Sequence, residues 1–448
     1  MWLRTVVHSI SSNLHEGFVT ALHGVDMVHE WLKTSCCQYS FLSVFALLGC
    51  DRGAQLDDPA RPAYVSDTTT DCANQCAEDP VADLLEHIDT SPKYKVSYST
   101  QCGNESGVKY NDQAEHFPGI RRARKGHRQG IQRIDRNGKT YLLTSYNLKS
   151  KGEPIDGGIE VIDMSGGDEG CGPIGDSTAG CPVHVYKDPN FYHGGGLSTY
   201  GRWVALSVDN PRDEHSRAGI RLLDFANPEN PVAGDVLVHE GGSASAALTR
   251  LSNGRYLAVS FRSDHAQFYT TQTEHFSLSS EDWVEHDEIE LPDEWPDNFP
   301  NEYQGTQFLS NCDGELYLVG TYHKQTVTQH KENKGWSYDL VETNEAEVWR
   351  LTFTKKNVPV FTFVGAREYE CGTGKHPQCD FNAGAGTWTD TYGNVYMYGV
   401  EYFNQGEVEG VAAVRLYEFT PMDIEPDTFM CDPGSCSGDC EGGLACDE

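Results

Sequence analysis

Apolar and polar residues alternate along "HRQGIQRIDRNGKTYLLTSYN", His127 to Asn147, and an Asn-Gly pair interrupts the alternation midway. A two-residue period is that of a half-buried strand, and Asn-Gly favours the tightest hairpin turn, so the segment reads as two strands joined back to back. Four further segments follow the same plan: "HGGGLSTYGRWVALSVDN" from His193, "SASAALTRLSNGRYLAVSFRSD" from Ser243, "EYQGTQFLSNCDGELYLVGTYH" from Glu302 and "NAGAGTWTDTYGNVYMYGVEYF" from Asn382. In each, small residues open a short strand, a glycine closes a turn, and an aromatic or aliphatic strand follows. The turn glycines are Gly138, Gly201, Gly254, Gly314 and Gly393, spaced 63, 53, 60 and 79 residues apart. Each stands where a tight hairpin needs positive φ. The spacing fits a four-stranded unit with variable loops.

Later strands recur as well. "GGIEVIDMSG" from Gly157 matches "GIRLLDFANPENPV" from Gly219, with weaker partners in "AEVWRLTF" from Ala346 and "VAAVRLYEF" from Val411. All-strand repeats of this length, separated by Gly, Asp, Asn and Pro turns, predict radial sheets: an all-β, five-bladed β-propeller of four-stranded antiparallel blades. A two-sheet sandwich is the alternative, but it does not account for the period. The two stronger segments resemble the LVIVD-type repeat of exported bacterial propellers. That resemblance covers two units well, and it implies fold and surface location more firmly than activity. The last unit lacks an outer strand after "VAAVRLYEF". The strand-like "KYKVSYSTQ", Lys93 to Gln101, is predicted to supply it and close the ring.

The propeller is therefore expected over residues 93–422, with extensions on both sides. "YSFLSVFALLGC", Tyr39 to Cys50, resembles a bacterial lipoprotein signal, in which Cys50 would carry the lipid, although about forty residues precede the run. The run is too short to span a bilayer, so a lipid anchor would be the chain's contact with a membrane. Residues 51–92 read as a polar tether with a short helical stretch over Cys72 to Ile88, and residues 423–448 as an acidic Cys-rich tail. Of 15 cysteines, twelve remain after Cys36, Cys37 and Cys50 are set aside. Several are close neighbours: Cys72 with Cys76, Cys171 with Cys181, Cys371 with Cys379. Disulfides in an oxidising compartment fit better than zinc, because the tail spacing is irregular and no His completes a site. Connectivity stays open, especially for Cys102 and Cys312. The expected location is the bacterial cell envelope or the medium.

Composition narrows the partners. Hydrophobic residues at 38% and aromatics at 11% are those of a folded body, and 67 acidic against 34 basic side chains give a formal charge of -33. Such a surface repels a nucleic-acid backbone and attracts cations.

If the units are blades, the first residue of each inner strand and the last of the next strand share one face, because an antiparallel pair brings those ends together. The alignment puts His127, His193, Ser243, Glu302 and Asn382 around a central channel, with Asn147, Asp209, Asp264, His323 and Glu401 beside them. Two readings follow. In the leading one this face binds an anionic glycan or another surface protein, with Arg128, Asn147, Asp209, Asp264, Asn382 and Glu401 as contacts. In the other, His127, His193 and Glu302 hold a divalent metal or act as acid and base in a hydrolase or lyase, with His323 as a reserve proton donor. Two imidazoles stand where five-bladed glycoside hydrolases need carboxylates, so the Asp, Asp, Glu set of those enzymes is not matched. "RRARKGHRQGIQR", Arg121 to Arg133, carries six basic residues and leads into the first inner strand. Arginines there would suit a carboxylate or sulfate guest, with Arg128 nearest the face.

Overall fold

A computed structural model describes residues 76–99 and most of 127–422. Residues 1–75, 100–126 and 423–448 lie outside the described residues, as do short loops that contain Glu302, Asn382 and Glu401. The expected lipobox with Cys50, the tail and most of the basic run fall there too.

Five antiparallel sheets form the blades of a propeller. Blade 1 runs from its inner strand His127–Arg136 through Lys139–Ser150 and Glu153–Asp163 to Pro182–Lys187. Blade 2 comprises His193–Tyr200, Trp203–Asp209, Ala218–Asp224 and Val232–His239. Blade 3 comprises Ser245–Arg250, Tyr256–Arg262, His265–Thr271 and Trp283–Glu285, and blade 4 Gly305–Ser310, Leu316–Glu332, Gly335–Phe353 and Pro359–Tyr369. Blade 5 has Ala385–Thr389, Val395–Val400 and Val411–Phe419 from the end of the chain, and Tyr94–Ser99 from its beginning. Tyr94 pairs with Glu418 and Ser99 with Ala413, so the early strand closes the ring as the sequence predicts. All five turn glycines have positive φ, between 58° and 94°.

The strands are apolar on both sides because both sides are covered. In "WVALSVD" of blade 2, Val204, Leu206 and Val208 pack on blade 1 while Ala205 packs on blade 3. One apolar cluster fills each of the five seams between blades. At the axis the inner strands meet backbone to backbone. A Cβ added to Gly305 would lie 2.0 Å from Ala385 O, one on Gly386 2.0 Å from Ile131 O, and one on Gly384 2.4 Å from Gly130 N. The small residues that open each repeat are what permit this contact.

Of the helix expected at Cys72 to Ile88, the described residues 76–88 contain a short turn, Pro80–Ala82, continued by a wider turn over Asp83–His87. This segment packs Ala77, Leu84 and Ile88 into the seam between blades 4 and 5. Cys76 is joined to Cys312, not to its neighbour Cys72, while Cys371 is joined to Cys379. Two features go beyond the sequence reading. Leu316–Glu332 and Gly335–Phe353 run far past the end of the blade as a paired hairpin arm, with Glu332 opposite Gly335. In blade 5, Cys171–Pro173 and Ala179–Gly180 of the loop inside blade 1 pair with the closing strand from its outer side.

Candidate functional site

A glycine run builds the site. In "HGGG" the strand pairing of blade 2 slips between Gly194 and Leu197, and the bulge presses Gly195 and Gly196 against other blades. A Cβ at Gly195 would lie 2.4 Å from Ala244 O, and one at Gly196 2.3 Å from Gln304 O, so side chains are excluded there. Gly196 N donates to Ala244 O at 2.9 Å. The bulge thereby draws Ser243 and Ala244 of blade 3 and Gln304 of blade 4 up to His193. Between them opens a cleft of about 440 Å3, lined by His193, Asp209, Ser243, Arg262, Asp264, Gln304 and their neighbours.

Three pairs of a carboxylate with a nitrogen base stand in or beside the cleft. His193 and Asp209 are cross-strand partners, and Nδ1 of the imidazole lies 2.9 Å from Oδ2 of the carboxylate. Asp209 Oδ1 is buried and meets no hydrogen-bond donor among the described residues. Arg262 pairs with Glu288 and donates through Nη1 to Glu240 O at 2.9 Å. Gly241 turns with φ 87° beneath that guanidinium, where a Cβ would meet Arg262 Nη1 at 2.0 Å. Asp264 Oδ1 lies 2.6 Å from His265 Nδ1, and this contact holds the Asp264 carboxyl below the usual carboxylate range.

Hydroxyl groups recur at one position of the blades. Ser145, Ser207 and Thr321 each sit on a second strand and face the next blade: Ser145 Oγ donates to Gly195 O at 2.6 Å, Thr321 Oγ1 to Ala385 O at 3.3 Å, and Ser207 Oγ lies 2.7 Å from Ser243 Oγ. Two residues further along each strand stand Asn147, Asp209 and His323. The period of two turns these toward the following blade as well. Blade 3 departs from this pattern. Phe261 faces blade 4, so Arg262 turns back toward blade 2 and shares a seam with Asp209.

The residues expected at one ring are thus distributed. His193, Asp209, Ser243 and Asp264 come together in the cleft, although Asp264 lies in the turn after the second strand rather than at its end. His323 is buried in the seam of blades 4 and 5, with Nδ1 3.1 Å from Asp380 Oδ1. Arg128 is also buried, at 4% exposure, and its Nη2 donates to Glu160 Oε2 at 2.7 Å within blade 1. That ion pair occupies the guanidinium expected to hold an anionic guest. Asn147 is buried, and neither atom of its amide meets a partner among the described residues. His127 starts the inner strand of blade 1 opposite Asn147, as expected; its side chain, Glu302, Asn382 and Glu401 lie outside the described residues. Among the described residues no group of three or more His, Cys, Asp or Glu side chains could hold a metal ion.

Arg262, His265 and Gln304 were missed by sequence reading. The repeated hydroxyl-x-polar ending of "SYN", "SVD" and "TYH" was a usable signal for the end of the second strand, and "SFR" in blade 3 would have pointed to Arg262.

The fold and the site define a five-bladed β-propeller with a polar cleft where blades 2, 3 and 4 meet. No family model matches the chain, and no curated protein sequence matches it. It is similar to solved propeller structures of glycan-processing enzymes. One, of the GH130 family of mannoside phosphorylases, is described as targeting beta-1,2 mannosidic linkages in Candida mannan (11% identity, TM-score 0.38, 67% of this chain and 86% of that one). Another is a GH43 enzyme from Xanthomonas citri in complex with xylose (11% identity, TM-score 0.34, 69% and 93%). A third is a mannose phosphorylase from Leishmania mexicana (11% identity, TM-score 0.33, 70% and 93%). At these scores the likeness assigns no activity.

Proposed function

We propose that the protein is an exported β-propeller that binds a neutral glycan in the cleft where blades 2, 3 and 4 meet. The observation that carries this reading is the cleft's lining: an imidazole oriented by a carboxylate, a serine hydroxyl, a glutamine amide and a guanidinium face one space. Adjacent donors and acceptors of this kind match the vicinal hydroxyls of a sugar ring, each of which donates and accepts. The charge balance selects against the anionic guest expected from the basic run. Asp209, Asp264 and Glu288 outnumber Arg262, Arg128 is bound to Glu160, and the chain as a whole is strongly acidic. A further carboxylate brought into this cleft would meet net repulsion.

Export is part of the proposal, as is anchoring through Cys50 in an LVIVD-like lipoprotein. The disulfides Cys76–Cys312 and Cys371–Cys379 support an oxidising compartment, where such bonds persist. Titration calorimetry with neutral oligosaccharides and with uronic-acid oligosaccharides of equal length tests the binding reading. Neutral chains should bind, and His193→Ala or Asp209→Asn should weaken them at least about tenfold, the scale of one lost charge-assisted hydrogen bond. The melting temperature should hold, since a partly exposed cleft residue buries little apolar surface. Preference for the uronates, or unchanged affinity in both variants, would remove the cleft from the account.

A further inference from the structure

The wall of the cleft contains a hydrogen-bonded chain of which the binding reading uses only the last member, Ser243. His239, at the end of the outer strand of blade 2, is buried, with Nδ1 3.0 Å from Glu240 O and Nε2 2.8 Å from Ser260 Oγ. Ser260 Oγ lies 2.7 Å from Ser243 Oγ, which reaches the cleft and lies 2.7 Å from Ser207 Oγ. Elementary chemistry fixes the direction of the chain. A carbonyl oxygen only accepts, so Nδ1 of a neutral imidazole carries the proton and Nε2 presents its lone pair. Ser260 must then donate to His239, and Ser243 to Ser260. Burial, with a smaller effect from nearby Arg262, holds the His239 pKa below its ordinary range, so the ring stays neutral and able to accept a proton.

A second feature adjoins the same hydroxyl. Ser243 follows Gly241 and Gly242 in "HEGGS", and the amide N–H groups of Gly242 and Ser243 meet no acceptor among the described residues. A Cβ placed on Gly242 would meet nothing within 4 Å, so the space over it is open. Both residues line the cleft. Unused main-chain donors beside a polarised serine are what an acyl-transfer site needs for the charge that develops on a carbonyl oxygen.

We propose that Ser243 is a nucleophile for carboxylic ester hydrolysis, activated through Ser260 and His239, with the Gly242 and Ser243 amides holding the oxyanion. On the binding reading, on which this choice of substrate rests, the ester is an O-acyl group on a sugar. Ser243 Oγ bonds to the ester carbonyl carbon as its proton passes to Ser260 Oγ and the Ser260 proton passes to His239 Nε2. The tetrahedral adduct collapses, the C–O bond to the alcohol breaks, and the departing alkoxide takes the proton now on Ser260 Oγ, which His239 Nε2 replaces. Water then attacks the acyl-serine by the same path, releasing the acid and restoring Ser243. Ser243 is the catalytic residue; Ser260 and His239 relay its proton.

The test is fluorophosphonate labelling of the folded full chain, read by peptide mass mapping, with p-nitrophenyl acetate hydrolysis beside it. In labelling, the serine oxygen displaces fluoride from phosphorus, so no bound sugar is required and the result is independent of glycan binding. The expected result is one adduct on the Ser243 peptide, absent from urea-unfolded protein and reduced at least tenfold in His239→Gln. Labelling should hold at pH 7 and fall in acid as His239 is protonated, and ester turnover should drop at least a hundredfold in Ser243→Ala. An unlabelled wild-type Ser243 peptide, or labelling indifferent to His239 and to acid, overturns the proposal whether or not the variants fold well.

Discussion

Replacing Glu418 with glutamine should stabilise the protein, and by more at high pH. Glu418 lies in the closing blade, opposite Tyr398 on one neighbouring strand and Tyr94 on the other, and is fully buried. Neither carboxyl oxygen has a hydrogen-bond partner among the described residues. The cation that acts on it, Arg133 of blade 1, is already held by Asp135 through bonds of 3.0 and 3.1 Å, and stacks on Trp388 at 3.8 Å. Burial pushes the Glu418 carboxyl up to about 8, against the opposing pull of Arg133. In the unfolded chain the same group titrates near 4.3. Below that pH it is protonated in both states and costs nothing. As the pH rises toward 8 the unfolded chain loses the proton while the folded protein keeps it, so stability falls with rising pH. At about 1.4 kcal/mol per pH unit, the loss is roughly 3 to 4 kcal/mol at pH 7 and about 5 above pH 8. Glutamine keeps the shape of the protonated acid and does not titrate. Urea unfolding of both proteins at pH 5, 7 and 9 measures the difference, and the advantage of Glu418→Gln should grow by about 4 kcal/mol across that range. Parallel stability curves would refute the argument, because they would show that Glu418 titrates alike in the folded and unfolded chain.

Two further outcomes test how the ring is held and how the cleft is built. Cys312→Ser opens a link between residues 236 apart in sequence, so chain entropy allows a loss of up to about 5 kcal/mol, read as a lower denaturant midpoint; an unchanged midpoint would mean that the strand Tyr94–Ser99 closes the ring unaided. Gly196→Ala places a methyl group 2.3 Å from Gln304 O, a main-chain atom that cannot swing aside, and should cost about 1 to 3 kcal/mol together with glycan affinity; retention of both would show that the bulge does not position the cleft.

Much of the architecture was legible because propeller blades impose local rules. A tight turn needs positive φ, and glycines at 138, 201, 254, 314 and 393 mark all five first hairpins. A strand covered on both faces reads as a near-continuous apolar run, as in "YLAVSFR" and "VYMYGV". The missing outer strand of the last unit and the orphan strand at Tyr94 are two views of one closed ring. The hairpin arm was not legible, since its polar alternation past His323 resembles a loop as much as a ribbon. The Cys76–Cys312 pairing was not legible either, because proximity in sequence carries little information about proximity in space.

The candidate site divides along the same line. Sequence determined that His193 and Asp209 must meet, because they end two strands joined by a tight turn and are therefore cross-strand neighbours. It could not determine which blade they would face, since that depends on parity and a shift of one residue turns a side chain to the other face of the sheet. In blade 3, Phe261 rather than Ser260 faces blade 4, and that single-residue offset sends Arg262 back into the seam with Asp209 and places Ser260 between His239 and Ser243. Arg128 shows the reverse: a basic run in the sequence offered it to a ligand, yet the sheet set Glu160 within 2.7 Å, where burial makes the internal partner obligatory. Turn chemistry and periodicity act over a few residues and are written in the chain. Register between blades is decided by packing between segments far apart in sequence, and it alone chose which polar groups share a seam.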